Sequence, residues 1–404
     1  MLIAFLTTSP VLSGGVNVIY EHAIRINRRG RMTVYMITEN TVNLNELAWH
    51  PDAQELNWLT YKEAENMMFD AVIATWWKTC YEAYRIKSRL YFYFNQSVES
   101  KFYHEHDLLN KVFADSTYFL GFKIITEATW IKSFLEKTYG IEADLVLNGI
   151  RKDIYQQTGP VISERRKGNL RVLVEGSLDM PLKNTAKAIQ LCLQSKADEV
   201  WLLTSSDIKN YRGVTKVFSR VPIIETASIY RSCDVIVKLS YAEGMFGPPL
   251  EMFHCGGTAI VYDVTGHDEY IKDNVNGFIV KTNDERDVIN RINFLKNNPD
   301  ELDRLKEGAI QTAMRWHDWE TASMAFENAL LNSQEHTTQY QLQNNTLLFK
   351  QWYDISSAKN NFNYQNDINI LQNEINALKH SKAYHLGKFI LKPFSRIRTM
   401  FRKD

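Results

Sequence analysis

Ser240-Tyr-Ala-Glu-Gly-Met-Phe-Gly-Pro-Pro-Leu-Glu-Met-Phe-His-Cys-Gly-Gly257 is a loop-to-helix junction written in glycine and proline. Seven residues separate Glu243 from Glu251, and two glycines and two prolines among them prevent one continuous helix. Just upstream, residues 235–239 are an apolar run that reads as a buried strand, so Glu243 falls in the loop at its carboxyl end. Open α/β sheets bind their ligands there. Pro248-Pro249 suits the first turn of a new helix and puts Glu251 near that helix's N-terminus. Such a terminus carries unpaired N–H groups and about half a positive charge. The junction therefore fits a diphosphate, with two carboxylates placed to accept hydrogen bonds from sugar hydroxyls.

The same punctuation runs outward in both directions. Residues 2–6 are an apolar strand followed by Ser13-Gly14-Gly15, a helical pattern closing at Arg28-Arg29-Gly30, and a second strand over 32–37. This strand–glycine turn–helix–strand unit opens a doubly wound α/β domain. Residues 69–74 and 90–94 continue as strands, and 133–139 as a helix before a strand at 144–147. Gly, Pro, Ser and charges then dominate residues 156–169, an interdomain linker. The pattern restarts with strands at 170–174, 199–203, 214–218, 235–239 and 258–262 and a helix at 185–193. The reading is five segments. Residues 1–155 form one Rossmann-like domain, 156–169 a linker, 170–332 a second Rossmann-like domain, 333–380 a helical extension and 381–404 a basic tail.

Composition narrows the function classes. The 404 residues are 45% hydrophobic, which excludes wholesale disorder, and 47 basic residues balance 47 acidic ones. Zero net charge argues against nucleic acid as a partner. The balance conceals a division: from Lys379 onward eight Lys/Arg face one acid, net +7, leaving a body of net −7. Four scattered cysteines without C-x-x-C spacing point to buried thiols in a reducing compartment. No apolar run reaches the roughly 18 residues of a spanning helix, and the first residues lack the basic flank of a signal peptide. A cytoplasmic location is expected.

The Glu-x7-Glu element with its Phe-Gly-Pro-Pro-Leu-Glu core resembles the family-4 retaining glycosyltransferases of the GT-B fold, over about residues 1–330. Gly14-Gly15 look like the family's first glycine loop, and Asn148-Gly149-Ile150 like its Asn-Gly-Ile element, with Arg151 in place of the usual acid. Glu175-Gly176-Ser177 followed by Lys183-Asn184 resemble the Gly-Arg…Lys-Gly/Asn segment. Residues 228–234, Gly266-His-Asp-Glu269 and Asn276-Gly277 follow in the family's order. The resemblance implies a GT-B fold of two Rossmann-like domains with an interdomain cleft. It implies a nucleotide diphosphate sugar as donor substrate, with no cofactor and no metal. On it, Glu251 binds the ribose hydroxyls, Glu243 lies by the donor sugar in an electrostatic catalytic role, and Lys183 binds the diphosphate. Gly14, Gly15, Phe246, Gly247, Pro248 and Leu250 complete the donor set. Ser177 stands where the family has a second cation, a place that Lys238 or Arg220 could fill.

A narrower resemblance joins Tyr93-Phe-Asn-Gln-Ser-Val-Glu-Ser-Lys-Phe-Tyr103 to rhamnan-type bacterial enzymes that use dTDP-L-rhamnose, with Ser97 replacing an Asp. It implies Gln96 and Glu99 on the acceptor side of the cleft; the bland alternative is a polar strand cap. Trp76-Trp77 is either a sugar-stacking platform on that side or core.

Toward the C-terminus, Ile368, Leu371, Ile375 and Leu378 form an apolar seam two turns long, either one helix resting on the body or a homodimer contact. In the tail, Leu386, Ile390, Phe394, Ile397 and Phe401 share a helical face among basic residues. That pattern fits an anionic membrane surface, here the inner face of the plasma membrane; packing on protein is the alternative. The expected activity is transfer of a hexose or deoxyhexose to a glycan or lipid-linked glycan acceptor. Its rival is a catalytically silent GT-B subunit that binds glycan or scaffolds a membrane complex.

Overall fold

Val235, Ile236, Val237 and Lys238 are buried at every position, as a strand covered on both faces must be. That strand belongs to the second of two parallel sheets in a computed structural model, which describes residues 1–380. The first sheet contains β1 (Leu2–Leu6), β2 (Thr33–Thr38), β3 (Asn57–Thr60), β4 (Met68–Ala74), β5 (Lys87–Asn95), β6 (Lys123–Thr126) and β7 (Ala143–Leu145). Their spatial order is β3-β2-β1-β4-β5-β6-β7. Helices α1 (Gly14–Arg28), α2 (Tyr61–Ala64), α3 (Trp77–Cys80), α4 (Leu108–Ser116) and α5 (Thr129–Tyr139) connect them.

The second sheet repeats the plan with β8 (Arg171–Glu175), β9 (Glu199–Thr204), β10 (Lys216–Ser219), β11 (Val235–Lys238), β12 (Thr258–Tyr262) and β13 (Gly277–Val280), in the order β10-β9-β8-β11-β12-β13. Its helices are α6 (Thr185–Gln194), α7 (Ile223–Ser232), α8 (Gly247–His254), α9 (Glu285–Asn297) and α10 (Pro299–Arg315). Every strand pair is parallel. Each sheet reverses its winding at one place, between β1 and β4 and between β8 and β11, and a crevice opens there at the carboxyl ends. Two Rossmann-like domains are thus present, and the fold is GT-B. Both lie in one compact unit, Met1–Thr346.

Packing crosses the chain-order boundaries at both ends of the second domain. Ile150, Ile154 and Tyr155 join the core of the second sheet beside Trp201, Tyr230 and Phe253. Helix α11 (Trp319–Leu331) returns to the first domain, where Phe326 and Leu330 pack with Phe5, Phe92 and Phe94. The two crossovers run side by side. Ile150 bridges Asp318, its amide donates to the His317 carbonyl at 3.3 Å, and the Trp316 indole donates to the Asn148 carbonyl at 2.9 Å. Glycine is required at 149, because a Cβ there would lie 2.3 Å from the Asp318 and Trp319 backbone.

Arg151, where the resemblance leads one to expect an acid, reaches Asp52 at 3.0 Å, Asp153 at 2.7 Å and the buried Glu21 at 3.5 Å. Those acids neutralise it beside the crossover.

Three strands escaped the sequence reading: β3, β6 and β13, each of four residues. All four cysteines are buried and free. The chain from Leu347 is a second unit, entered by α12 (Gln339–His380). The side chains of Ile368, Leu371, Ile375 and Leu378, and the whole of residues 381–404, lie outside the described residues. Among those described, no helix is long and apolar enough to cross a membrane.

Candidate functional site

Strands β8 and β11 pair in register at Val174 and Val237, so Glu175 and Lys238 emerge side by side at the second sheet's switch point. The Lys238 ammonium lies 2.5 Å from a Glu175 oxygen and 3.6 Å from Glu243 Oε1. Lys183 ends the turn Pro181–Lys183 and donates to Glu243 Oε2 at 2.7 Å. Two hydrogen bonds, one backbone and one from a side chain, hold that turn against the end of β11. The Tyr241 amide donates to the Leu182 carbonyl at 2.8 Å, and Asn184 Nδ2 donates to the Leu239 carbonyl at 3.1 Å. Two lysines and two glutamates from three separate segments thus converge on one crevice.

Burial pushes the Glu243 carboxyl upward, but Lys183 and Lys238 outweigh it and hold the group below its ordinary value. It is an anion fixed between two cations. Lys238 shows the opposite balance. Burial lowers it, and Glu175 and Glu243 together raise it above the usual lysine value.

Pro248 and Pro249 open α8, as proline at the first helical positions should. Gly247 and Pro248 are half-buried at its tip, with open space where a Gly247 side chain would stand. Glu251 follows one turn later. Burial of its carboxyl raises its pKa to about 7, the Glu175 charge adds to the rise, and the Tyr230 and Tyr155 hydroxyls and Lys238 oppose it. A carboxyl poised in that way can accept or donate a hydrogen bond to a vicinal diol. Phe246 and Leu250, read above as donor contacts, are fully buried in the core of the second sheet. Their apolar side chains have no reason to leave it, and they fix the helix instead.

Gly14 and Gly15 form the exposed first turn of α1 across the cleft, capped by the Ser13 hydroxyl on the Val16 amide at 3.2 Å. Open space surrounds Gly14, and the nearest atom to a Gly15 side chain would be Gln96 Oε1 at 3.3 Å. Half-buried Gln96 therefore lies over the glycine turn. Glu99 does not reach the cleft. It is buried, accepts the Trp77 amide at 2.6 Å, and is pushed by burial to about 8 against the Trp77 and Tyr93 hydrogen bonds. Trp77 is core: its indole donates to the Tyr103 hydroxyl at 3.1 Å and packs edge-on against Phe113. Trp76 is half-buried beside it.

Of the two cations offered for the position of Ser177, Lys238 is in the cluster. Arg220 turns to Asp207 at 3.2 Å. The Ser177 hydroxyl lies 3.2 Å from that of Ser206, which donates to Asp179 at 2.5 Å. Sequence reasoning missed Glu175, Tyr155, Tyr230 and Glu127. Glu175 and Tyr230 stood in quoted motifs, but nothing in the neighbours of Glu175 signalled a partner 63 residues away. A cavity of about 290 Å³ beside α8 is lined by Lys152, Tyr155, Phe253, His254, Ile310 and Met314, and shares Tyr155 with the surroundings of Glu251.

Residues 161–312 match the family model of the glycosyl transferases group 1. No curated protein matches the chain at a significant level. Among solved structures it is similar to Anabaena Alr3699/HepE in complex with UDP and glucose (TM-score 0.67, 15% identity, covering 82% of this chain and 100% of that one). It is also similar to sucrose-phosphate synthase from Thermosynechococcus elongatus (TM-score 0.63, 14% identity, 81% and 98%). A third is WaaG, a glycosyltransferase involved in lipopolysaccharide biosynthesis (TM-score 0.63, 13% identity, 82% and 100%). At these identities the likeness speaks for the fold.

Proposed function

We propose that the chain is a glycosyltransferase that moves a hexose or deoxyhexose from a nucleotide diphosphate sugar to a growing bacterial surface glycan, with retention at the anomeric carbon. The observation that carries the reading is the Lys183–Glu243–Lys238–Glu175 cluster at the switch point of the domain whose residues match the group 1 family model. The HepE complexes, with UDP and with UDP-glucose, support a nucleotide sugar as donor. WaaG, in lipopolysaccharide biosynthesis, supports a surface glycan as the class of product.

The chemistry follows from charge. Breaking the bond between C1 and the phosphate oxygen leaves positive charge on the sugar and negative charge on the diphosphate. Lys183, which keeps 27% of its side chain exposed, can turn from Glu243 to that leaving group. The positive end of the α8 dipole adds to the field without a metal, although Pro248 and Pro249 offer no N–H at its tip. Glu243, anionic beside the sugar, stabilises the developing positive charge. Glu251 grips the ribose. With the acceptor hydroxyl attacking from the leaving group's face, the departing phosphate takes its proton and no side-chain base is required.

A panel of nucleotide sugars scored by thermal shift and by hydrolysis tests this. We expect stabilisation and slow hydrolysis with one of them, and a Glu251→Ala variant with weakened nucleotide affinity. Unchanged donor binding in that variant removes Glu251 from the site. A second reading, the catalytically silent subunit, draws on Ser177 in place of a cation. It predicts nucleotide binding with no turnover on any donor.

A further inference from the structure

The loop that carries Glu243 is held from across the cleft. Glu127 follows β6 of the first domain and is buried. One of its oxygens accepts the Met245 amide at 2.9 Å and the other accepts Asn148 Nδ2 at 2.9 Å. Next to it, the Trp130 indole donates to the Gly244 carbonyl at 3.0 Å. Gly244 itself allows the approach: a Cβ there would lie 2.0 Å from the Gln96 carbonyl oxygen and 2.7 Å from Glu127 Oε1.

A third tie sits on the neighbouring helix. Ala128 precedes α5 and makes no side-chain cap, so the first amide of that helix lacks a local acceptor. Glu269 of the second domain supplies one. Its carboxylate accepts from the Thr129 amide and, at 2.9 Å, from the Thr129 hydroxyl.

We infer that Glu127, Trp130 and the Glu269-capped tip of α5 form an interdomain clasp, with Glu127 the positioning residue that sets the Glu243 loop when the domains meet. The catalytic half of this inference rests on the proposed transfer reaction, and the mechanical half does not. Released from Glu127, the Met245 amide loses its acceptor, and Glu243 shifts relative to Lys183 and Lys238. A displacement of about 1 Å at a reacting centre costs as much as about a hundredfold in rate.

Two measurements on the full chain test it. The first uses spin labels on exposed Lys137 and Asn210, one in each domain, read by pulsed distance measurements without ligand. Glu127→Ala should broaden the interdomain distribution. Glu127→Gln should keep it narrow, because its carbonyl still accepts Met245 and Asn148 can turn its unpartnered Oδ1 to the new amide. An unchanged distribution in Glu127→Ala overturns the clasp.

The second uses UDP for affinity and UDP-glucose, or whichever donor the panel selects, for turnover. Glu127→Ala should lower kcat about tenfold to a hundredfold with UDP affinity within about twofold, and Glu127→Gln should restore it. Equal losses in kcat and UDP affinity, or none, overturn the positioning role. If Glu127→Ala fails to fold, Trp130→Phe removes one tie and should give the same two signatures in weaker form. A wild type that turns over no donor defeats the transfer reading alone, and the distance measurement still decides the clasp.

Discussion

Lys183 keeps 27% of its side chain in solvent, whereas Lys238 keeps 2%. The exposed lysine is free to change partners, and the buried one anchors the site. Lys183→Ala should weaken UDP binding about tenfold or more, the scale of a lost charge-assisted hydrogen bond, as read by calorimetry. Lys238→Met should instead lower the folding stability, because it leaves Glu175 and Glu243 beside each other without their shared cation. Glu99 supplies a pH test away from the charge cluster. Between the ordinary glutamate value of 4.5 and its own value of about 8, the folded chain holds a proton that the unfolded chain releases. Stability from this group therefore falls as pH rises through that window, by up to about 1.4 kcal/mol per pH unit. Urea unfolding of Glu99→Gln at pH 5, 7 and 9 should show a shallower decline than wild type. Parallel curves would falsify a protonated Glu99.

At the scale of elements, the loop from β11 to α8 was legible because proline and glycine punctuate it in a way that only one backbone path satisfies. The glutamates, the strand before them and the helix after them could each be placed from local rules. Side-chain directions could not. Phe246 and Leu250 sit within the same motif as Glu251, yet their fate depends on a core assembled from Ile150, Trp201 and Tyr270, far off in sequence. Glu127 was invisible for the same reason, since its partners lie 21 and 118 residues away. Glu99 was placed on the right segment, but burial under Trp77 turned it from the cleft. Gly244→Ala probes the element directly. The Gln96 carbonyl it would meet is backbone and cannot swing aside, so the variant should lose about 1–3 kcal/mol in thermal or chemical unfolding.

The whole molecule was legible as two α/β repeats, because the hydrophobic period restarts after residue 169. Which half α11 serves was not, since a helix records the face that it buries and not the core that it covers. The tail argues at this scale too. If this segment is the membrane contact proposed from its sequence, worth about 1 kcal/mol per basic residue near an acidic lipid surface, deleting residues 381–404 should abolish sedimentation with anionic vesicles and leave donor hydrolysis intact. Vesicle binding that survives the deletion refutes a membrane role for that segment.

The paired crossovers have a further consequence. Because the polypeptide passes between the halves at Gly149–Ile150 and returns at His317–Trp319, no single cut between the two Rossmann-like domains yields two self-sufficient pieces. A nick in residues 156–169 would leave α11 covalently attached to the second half while its apolar face belongs to the first. Two fragments divided there should recombine spontaneously when coexpressed, as a split protein with its own built-in complementation tag.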